Sequence, residues 1–180
     1  MKSRLVAAAA VLAIAGLMTS GCSAQPDPER TPSAAFSSEE EAFAAAEATY
    51  RAYVDALNQV DLSDPETFED VYAWTTGDAN AGARKSFTQM HADGWTVLGE
   101  STFDNFMGEE FNPTSPEDAV TAVVCLDVTD VDVQDASGVS VVPDTRNDRQ
   151  PATLAFAIGD SSTGLLIAGS TATEDPTCGQ

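Results

Sequence analysis

The chain has few basic residues, a single histidine and none of the common catalytic signatures. Its 180 residues contain 8 lysines and arginines against 29 aspartates and glutamates, and the formal net charge is −21. A field of this sign repels nucleic acid and anionic head groups, so no nucleic-acid partner is expected. The lone His91 excludes a multi-histidine zinc site, and neither a GxSxG elbow nor a nucleotide-binding glycine motif is present. We therefore predict no metal, no cofactor and no catalytic residue.

Long hydrophobic runs are also scarce, and the longest one lies at the start of the chain. Residues 5–18 form the apolar run "LVAAAAVLAIAGLM", which follows Lys2 and Arg4 and precedes small residues. This three-part order is typical of a secretory signal. The rival interpretation is a transmembrane anchor, but a span needs roughly 18 to 20 apolar residues. Residues 1–21 are predicted to be a signal peptide that directs export.

Three cysteines are an odd number for an exported protein, and the first of them has a distinctive setting. The stretch "TSGC", which ends at Cys22, resembles the lipobox of bacterial lipoproteins. The resemblance implies a lipid on the thiol of Cys22, cleavage before it, and anchoring at the extracytoplasmic face of the cell membrane. The alternative is ordinary cleavage after Ala24, which would discard Cys22. In both cases Cys22 cannot be a disulfide partner.

Beyond Cys22, proline and small polar residues separate the signal from the rest of the chain. The stretch "SAQPDPERTPSAA" has three prolines and no apolar period, so it cannot contribute to a core. Residues 22–36 are therefore predicted to be a disordered tether that carries the lipidated cysteine. Residues 37–180 are predicted to form a single folded domain.

The first half of that domain shows helical periodicity. Ser38 and Glu41 form a capping-box pattern, and apolar residues then recur at spacings of three and four. Asp64 before Pro65 signals a second, shorter helix that Gly77 would end. A third helix would be capped by Asp78 and end at Gly94, with Ala83, Phe87 and Met90 facing inward. The residues of the first apolar face are Phe43, Ala46, Tyr50, Tyr53, Val54, Leu57 and Val60.

After Gly94 the pattern changes to the period of two that indicates strands. One strand is expected over Trp95–Phe103, followed by a polar loop through "GEEFNPTSPED". The next would run over Val120–Val133, with a bulge or bend near Thr129 and Asp130 because its inward-facing residues change parity there. The later stretches "VSVV", "ATLAFAI" and "LLIAGST" are expected to add strands, separated by the loop "PDTRNDRQP" and the turns "DASG" and "GDSSTG".

Helices followed by strands with short connections predict an α+β domain, in which N-terminal helices pack on a strongly bent antiparallel sheet of about four strands. This order resembles the nuclear transport factor 2-like fold, a cone of helices closed by a curved sheet. The segment "VVCLDVTDVDVQDASGVSVVPDTRNDRQP" is similar to one in uncharacterised lipoproteins of actinobacteria.

The remaining cysteines, Cys125 and Cys178, are the only possible pair in an oxidising compartment once Cys22 is removed. A structural disulfide between them would staple the C-terminal tail onto the sheet. Free or reactive thiols are the alternative, although the CxxC spacing of redox pairs is absent.

Three further groups of polar residues are expected to be structural. His91 lies in the last turn of the third helix without a visible catalytic partner. The acidic cluster Asp127, Asp130, Asp132 and Asp135 fails the EF-hand pattern, because an aspartate stands where that loop requires glycine. Arg146 and Arg149 flank Asp148, where ion pairs are favoured over an anion site.

Two functions remain open at this level. The first is a membrane-anchored, non-enzymatic domain that binds a small apolar ligand or a cell-envelope protein. The second is a small enzyme of the isomerase or dehydratase type, which the cone fold can host. Function belongs to sites rather than folds, so the deciding feature is a cavity between the first helix and the sheet. A buried acid or His91 within it would favour the enzyme.

Overall fold

The structure is a computed structural model that describes residues 35–174 and Cys178. The predicted signal peptide, Cys22 and nearly all of the predicted tether lie outside these residues. Among the described helices, none combines the length and apolar character needed to cross a membrane. Helices and strands follow one another in the order α1 (Glu39–Leu57), a 3-10 turn (Pro65–Thr67), α2 (Phe68–Tyr72), α3 (Gly77–Ala92), β1 (Thr96–Leu98), β2 (Thr102–Phe111), β3 (Val120–Asp127), β4 (Asp132–Gln134), β5 (Arg149–Ile158) and β6 (Leu165–Ala172).

Helix α1 begins at the predicted cap. The Ser38 hydroxyl accepts a hydrogen bond from the backbone N–H of Glu41 at 3.1 Å. The Glu41 carboxylate accepts from the hydroxyl and the backbone N–H of Ser37, at 2.6 and 2.8 Å. The reciprocal half of the capping box therefore falls one residue earlier than predicted. These hydrogen bonds from Ser37 hold the pKa of Glu41 below its usual value.

The boundary between the second and third helices differs from the prediction. Asp64 caps the 3-10 turn as expected, accepting from the Glu66 N–H at 3.1 Å. However, α2 already ends at Tyr72, and Gly77 begins α3 instead of ending α2. Asp78 therefore lies within the first turn of α3 and is not its cap, although its charge still suits the helix dipole there.

A four-stranded antiparallel sheet in the order β2-β3-β5-β6 follows the helices. Register shifts interrupt β2 at two places and the β5–β6 pair once, between Ala155 and Phe156. Such bulges bend strands and increase their twist, so this sheet curves around the helices. The predicted α+β class, with N-terminal helices on a bent antiparallel sheet of four strands, is confirmed.

The strand boundaries were predicted less well. The stretch predicted as one strand, Trp95–Phe103, is split at Gly99 into β1 and β2, which belong to different sheets. Strand β2 also runs on through "GEEF", which was predicted as loop. The predicted long strand ends at Asp127, and the bend near Thr129 and Asp130 leads into β4, which pairs with β1. The stretch "VSVV" adds only a single bridge, between Ser140 and Gln134, and β5 begins at Arg149 inside the predicted loop.

The main hydrophobic core lies between α1 and the four-stranded sheet. Thr49 is fully buried within α1, and its hydroxyl lies 2.6 Å from that of Thr163 in the β5–β6 turn. Phe36 also packs in this core, edge-on to Phe111, so the folded part begins at least one residue before the predicted boundary at residue 37. A second cluster, Leu62, Phe68, Val71, Tyr72 and Phe87, joins α2 to α3.

Candidate functional site

Helix α3 is held over the end of the sheet by the short segment that precedes it. The backbone N–H of Thr76 donates to the carbonyl of Ile167 at 2.8 Å, and the N–H of Ile167 donates to the carbonyl of Trp74 at 2.9 Å. Thr75 thus forms a parallel bridge with Ile167 in β6. Its hydroxyl also accepts from the Asn80 side chain at 2.9 Å, which ties the segment to α3. The N-terminal half of α3 is therefore fixed to β6.

A cavity of about 550 Å³ opens between α1, α3 and the sheet. This volume is within the range of about 300–1,000 Å³ of small-molecule sites. The lining residues that α3 contributes recur every three or four positions along the chain. This spacing places them on one face of the helix. The residues that line the cavity are Tyr50, Tyr53, Leu57, Thr75, Asp78, Ala79, Gly82, Ala83, Ser86, Phe87, Leu126, Leu154, Ile167, Gly169, Ser170 and Thr171.

Small residues on α3 leave the space for this cavity. Gly82 lies in the middle of α3 and is exposed to solvent. A Cβ added there would meet no atom within 4 Å. A glycine inside a helix is about 0.5–1 kcal/mol less favourable than alanine. No steric contact therefore requires a glycine at position 82. The absence of a side chain there keeps that part of the cavity wall open.

Two tyrosines on α1, the buried Tyr50 and the half-buried Tyr53, contribute phenol groups to the cavity. Tyr50 is only 4% exposed, and its ring packs against Tyr53, Phe103 and Phe106 at centroid distances of 5.9, 4.9 and 6.4 Å. Burial raises the pKa of both Tyr50 and Tyr53, and the neighbouring Tyr53 raises that of Tyr50 further. Both phenols therefore stay protonated at neutral pH and are poor proton acceptors.

Charge is otherwise sparse in the cavity. Of its described lining residues none is lysine, arginine or histidine, and Asp78 is the only carboxylate. Asp78 is exposed and lies at the beginning of α3, so it belongs to the mouth of the cavity. The described lining is thus apolar with hydroxyl groups and includes no compensating cation.

His91, the candidate base considered from sequence, does not line the cavity. Its Nδ1 donates to the carbonyl oxygen of Leu62 at 2.7 Å, and its ring meets Phe68 edge-on. This bond ties the end of α3 to the loop before α2.

The structure joins Cys125 of β3 and Cys178 in a disulfide, with 5.4 Å between their Cα atoms. That separation lies within the usual range for a bridge. Both residues are buried, at 1% and 4% exposure. Oxidation of this pair in the protein stays a prediction.

The two arginines near Asp148 bind protein groups. Arg146 donates to the carbonyls of Val131 and Val128, at 2.9 and 2.8 Å, and so closes the turn after β3. Arg149 pairs with Asp104 and Asp127 and donates from Nε to the carbonyl of Cys178 at 2.6 Å. Arg149 therefore links β2, β3, β5 and the tail, in line with the expected ion pairs.

Two aspartates of the acidic cluster, Asp127 and Asp135, accept hydrogen bonds within local turns. Asp127 accepts from the hydroxyl and the backbone N–H of Thr129, and Asp135 accepts likewise from Ser137. These hydrogen bonds, foremost those from the two hydroxyls, lower the pKa of both carboxyls. Within residues 35–174 and Cys178, no group of three or more histidine, cysteine, aspartate or glutamate residues is placed to hold a metal ion.

Sequence reasoning found only part of the cavity wall. Tyr50, Tyr53, Leu57, Ala83 and Phe87 had been assigned to inward faces, whereas Gly82, Ser86 and the β6 residues had no assigned role. The run of small residues "ANAGA" in α3 was the available signal, because small side chains on an inward face leave space.

The fold and the site together define an α+β domain with a cavity of small-molecule size. No family model matches this chain, and no curated protein matches it. Among solved structures, the chain is similar to a putative aromatic ring hydroxylase from Novosphingobium aromaticivorans, with 15% identity and a TM-score of 0.46. The match covers 76% of this chain and 96% of that one. At this level of similarity it carries no information about activity.

Proposed function

We propose that this protein is a lipid-anchored, extracytoplasmic lipoprotein whose folded domain binds a small, mainly apolar molecule. The cavity between α1, α3 and the sheet carries this proposal, because its volume and its mixture of apolar walls with a few hydroxyls suit such a ligand. The lipobox-like "TSGC" and the preceding signal support the anchor.

A binding role is favoured over the isomerase or dehydratase alternative by the ionisable groups of the cavity. Proton abstraction needs a base within hydrogen-bond reach of the substrate. The ionisable residues that line the cavity are Tyr50 and Tyr53, whose phenols are protonated, and the exposed Asp78. No buried carboxylate or histidine accompanies them among the described residues.

Filling the open position on α3 is expected to block the cavity. We expect Gly82→Leu to weaken binding of phenylnaphthylamine, a neutral fluorescent probe, by about tenfold, since the added side chain occupies ligand space. Ala81→Leu is the matched control, because Ala81 is exposed on the same helix and does not line the cavity. Fluorescence titration gives both dissociation constants. Equal affinities in the two variants would show that the probe binds elsewhere.

The anchor is tested separately from the cavity. We expect Cys22→Ser to move the protein from the membrane fraction to the soluble fraction, because acyl chains on this thiol supply the predicted attachment. Ser23→Ala, one residue away, should leave the protein in the membrane fraction. Immunoblots of fractionated cells measure both, and retention of Cys22→Ser in the membrane would exclude a lipid anchor at this position.

A further inference from the structure

The hydroxyl of Tyr50 has no hydrogen-bond partner in the part of the chain that the structure describes. Its ring packs in the main hydrophobic core and makes aromatic contacts with Tyr53, Phe103 and Phe106. The side chain is 4% exposed and lines the cavity. The hydroxyl is not enclosed by protein atoms and stays accessible to solvent in the cavity. A ligand that fills the cavity without pairing with it would bury it at a cost in free energy, which a hydrogen bond to the ligand avoids. This polar group is therefore available to a molecule inside the cavity.

The surrounding charges restrict what that molecule can be. An anion would lose its hydration in a cavity whose described lining holds no cation, and the one carboxylate of that lining, Asp78, would repel it. A cation would meet a carboxylate only at the exposed mouth. A pure hydrocarbon would fill the apolar walls but would bury the Tyr50 hydroxyl unpaired.

Resting on the proposed binding function, we infer that the ligand is an uncharged molecule with an apolar body and one carbonyl or ether oxygen, which accepts a hydrogen bond from Tyr50. The apolar body packs against Leu126, Leu154 and Ile167, which line the cavity from three neighbouring strands. Tyr50 thus acts as the residue that selects for an oxygen acceptor.

Three probes of nearly equal shape separate these possibilities. Acetylnaphthalene carries a ketone, isopropenylnaphthalene replaces the ketone oxygen by carbon, and naphthoate carries a carboxylate. Calorimetric titration at neutral pH into the full mature chain gives the affinity of each. We expect the ketone to bind about fivefold more tightly than the hydrocarbon, the increment of one neutral hydrogen bond, and naphthoate to bind most weakly.

Tyr50→Phe should abolish the preference for the ketone while leaving the affinity for the hydrocarbon unchanged or higher. Tyr72→Phe is the control, because Tyr72 is a buried tyrosine of the α2–α3 cluster that does not line the cavity. It should keep the preference. Thermal unfolding verifies that both variants fold, which we expect because the Tyr50 hydroxyl makes no hydrogen bond to the described protein.

Each outcome decides a different claim. Equal affinity of wild type for ketone and hydrocarbon, a preference that survives in Tyr50→Phe, or naphthoate binding as tightly as the ketone would overturn the inferred ligand class and leave the binding function standing. Failure of all three probes to bind the wild type would overturn the proposed function and the inference together.

Discussion

Gly99→Ala is expected to lower the free energy of unfolding by about 3 kcal/mol or more, because left-handed backbone strain and steric overlap add at this residue. Gly99 has a φ of +78°, and a Cβ there would lie 1.8 Å from the carbonyl oxygen of Asp130. The oxygen belongs to the backbone of the bend before β4 and cannot rotate away. The overlap could be relieved only if β1 moved away from that bend, and this movement would disrupt the β1–β4 pair.

Gly138→Ala is the matched control for this prediction. Gly138 has a φ of +81°, but an added Cβ would meet no atom within 4 Å. Gly138→Ala should therefore lower the free energy of unfolding only by the cost of left-handed backbone strain, about 1–2 kcal/mol. Denaturant unfolding followed by circular dichroism measures both variants. Equal losses of stability would mean that the contact between Gly99 and Asp130 does not constrain the fold.

Reduction of the Cys125–Cys178 bridge is expected to lower the free energy of unfolding by about 4 kcal/mol. The bridge closes a loop with a sequence separation of 53 residues, and the chain-entropy model gives this order of magnitude for such a loop. Releasing the tail would also free the Cys178 carbonyl from Arg149. Unfolding midpoints with and without reductant measure the effect.

A variant that carries both Cys125→Ala and Cys178→Ala provides the control for reduction. It should resemble the reduced wild type in stability, apart from the packing lost at Cys125, and reductant should not change it. Alkylation of the unfolded, non-reduced mature protein gives an independent test. Two modified thiols in that sample would contradict the predicted disulfide.

The helices could be predicted well because their signals are local. The Ser38 cap, the Asp64–Pro65 start and the left-handed Gly94 each act within a few residues, and each is found where it was expected. The error at Gly77 has the same local origin. A glycine with positive φ commonly follows a helix, but here, at +52°, it begins one.

The strand errors arise from pairings between distant parts of the chain. The change of parity near Thr129 and Asp130 correctly indicated a bend, but nothing local shows that β4 would leave the main sheet and pair with β1. Gly108 explains a second error. Its missing side chain makes room for the ring of Phe43, since a Cβ would lie 2.3 Å from that ring. Pairing with β3 at Gly108, Glu110 and Phe111 makes the polar stretch "GEEF" a strand, although its composition disfavours one.

The cavity was outside the reach of sequence reasoning, apart from its tyrosines and a few other inward residues. The cavity depends on where α3 lies against the sheet, and two backbone hydrogen bonds join Ile167 of β6 to the segment Trp74–Thr76 that leads into α3. Backbone bonds of this kind leave no pattern in side-chain composition. The exposed Gly82 and Ser86 likewise read as ordinary surface residues until the opposite wall is known.

The most direct test of a ligand-binding cavity is a methyl NMR titration of the mature protein with acetylnaphthalene. Binding in the cavity predicts saturable shift changes at Leu57, Leu126, Leu154 and Ile167, which line it. Methyl groups of the exposed apolar residues Val97, Leu98, Val139 and Val141 should remain unshifted. Shifts confined to that exposed set, or no shifts at all, would contradict the account.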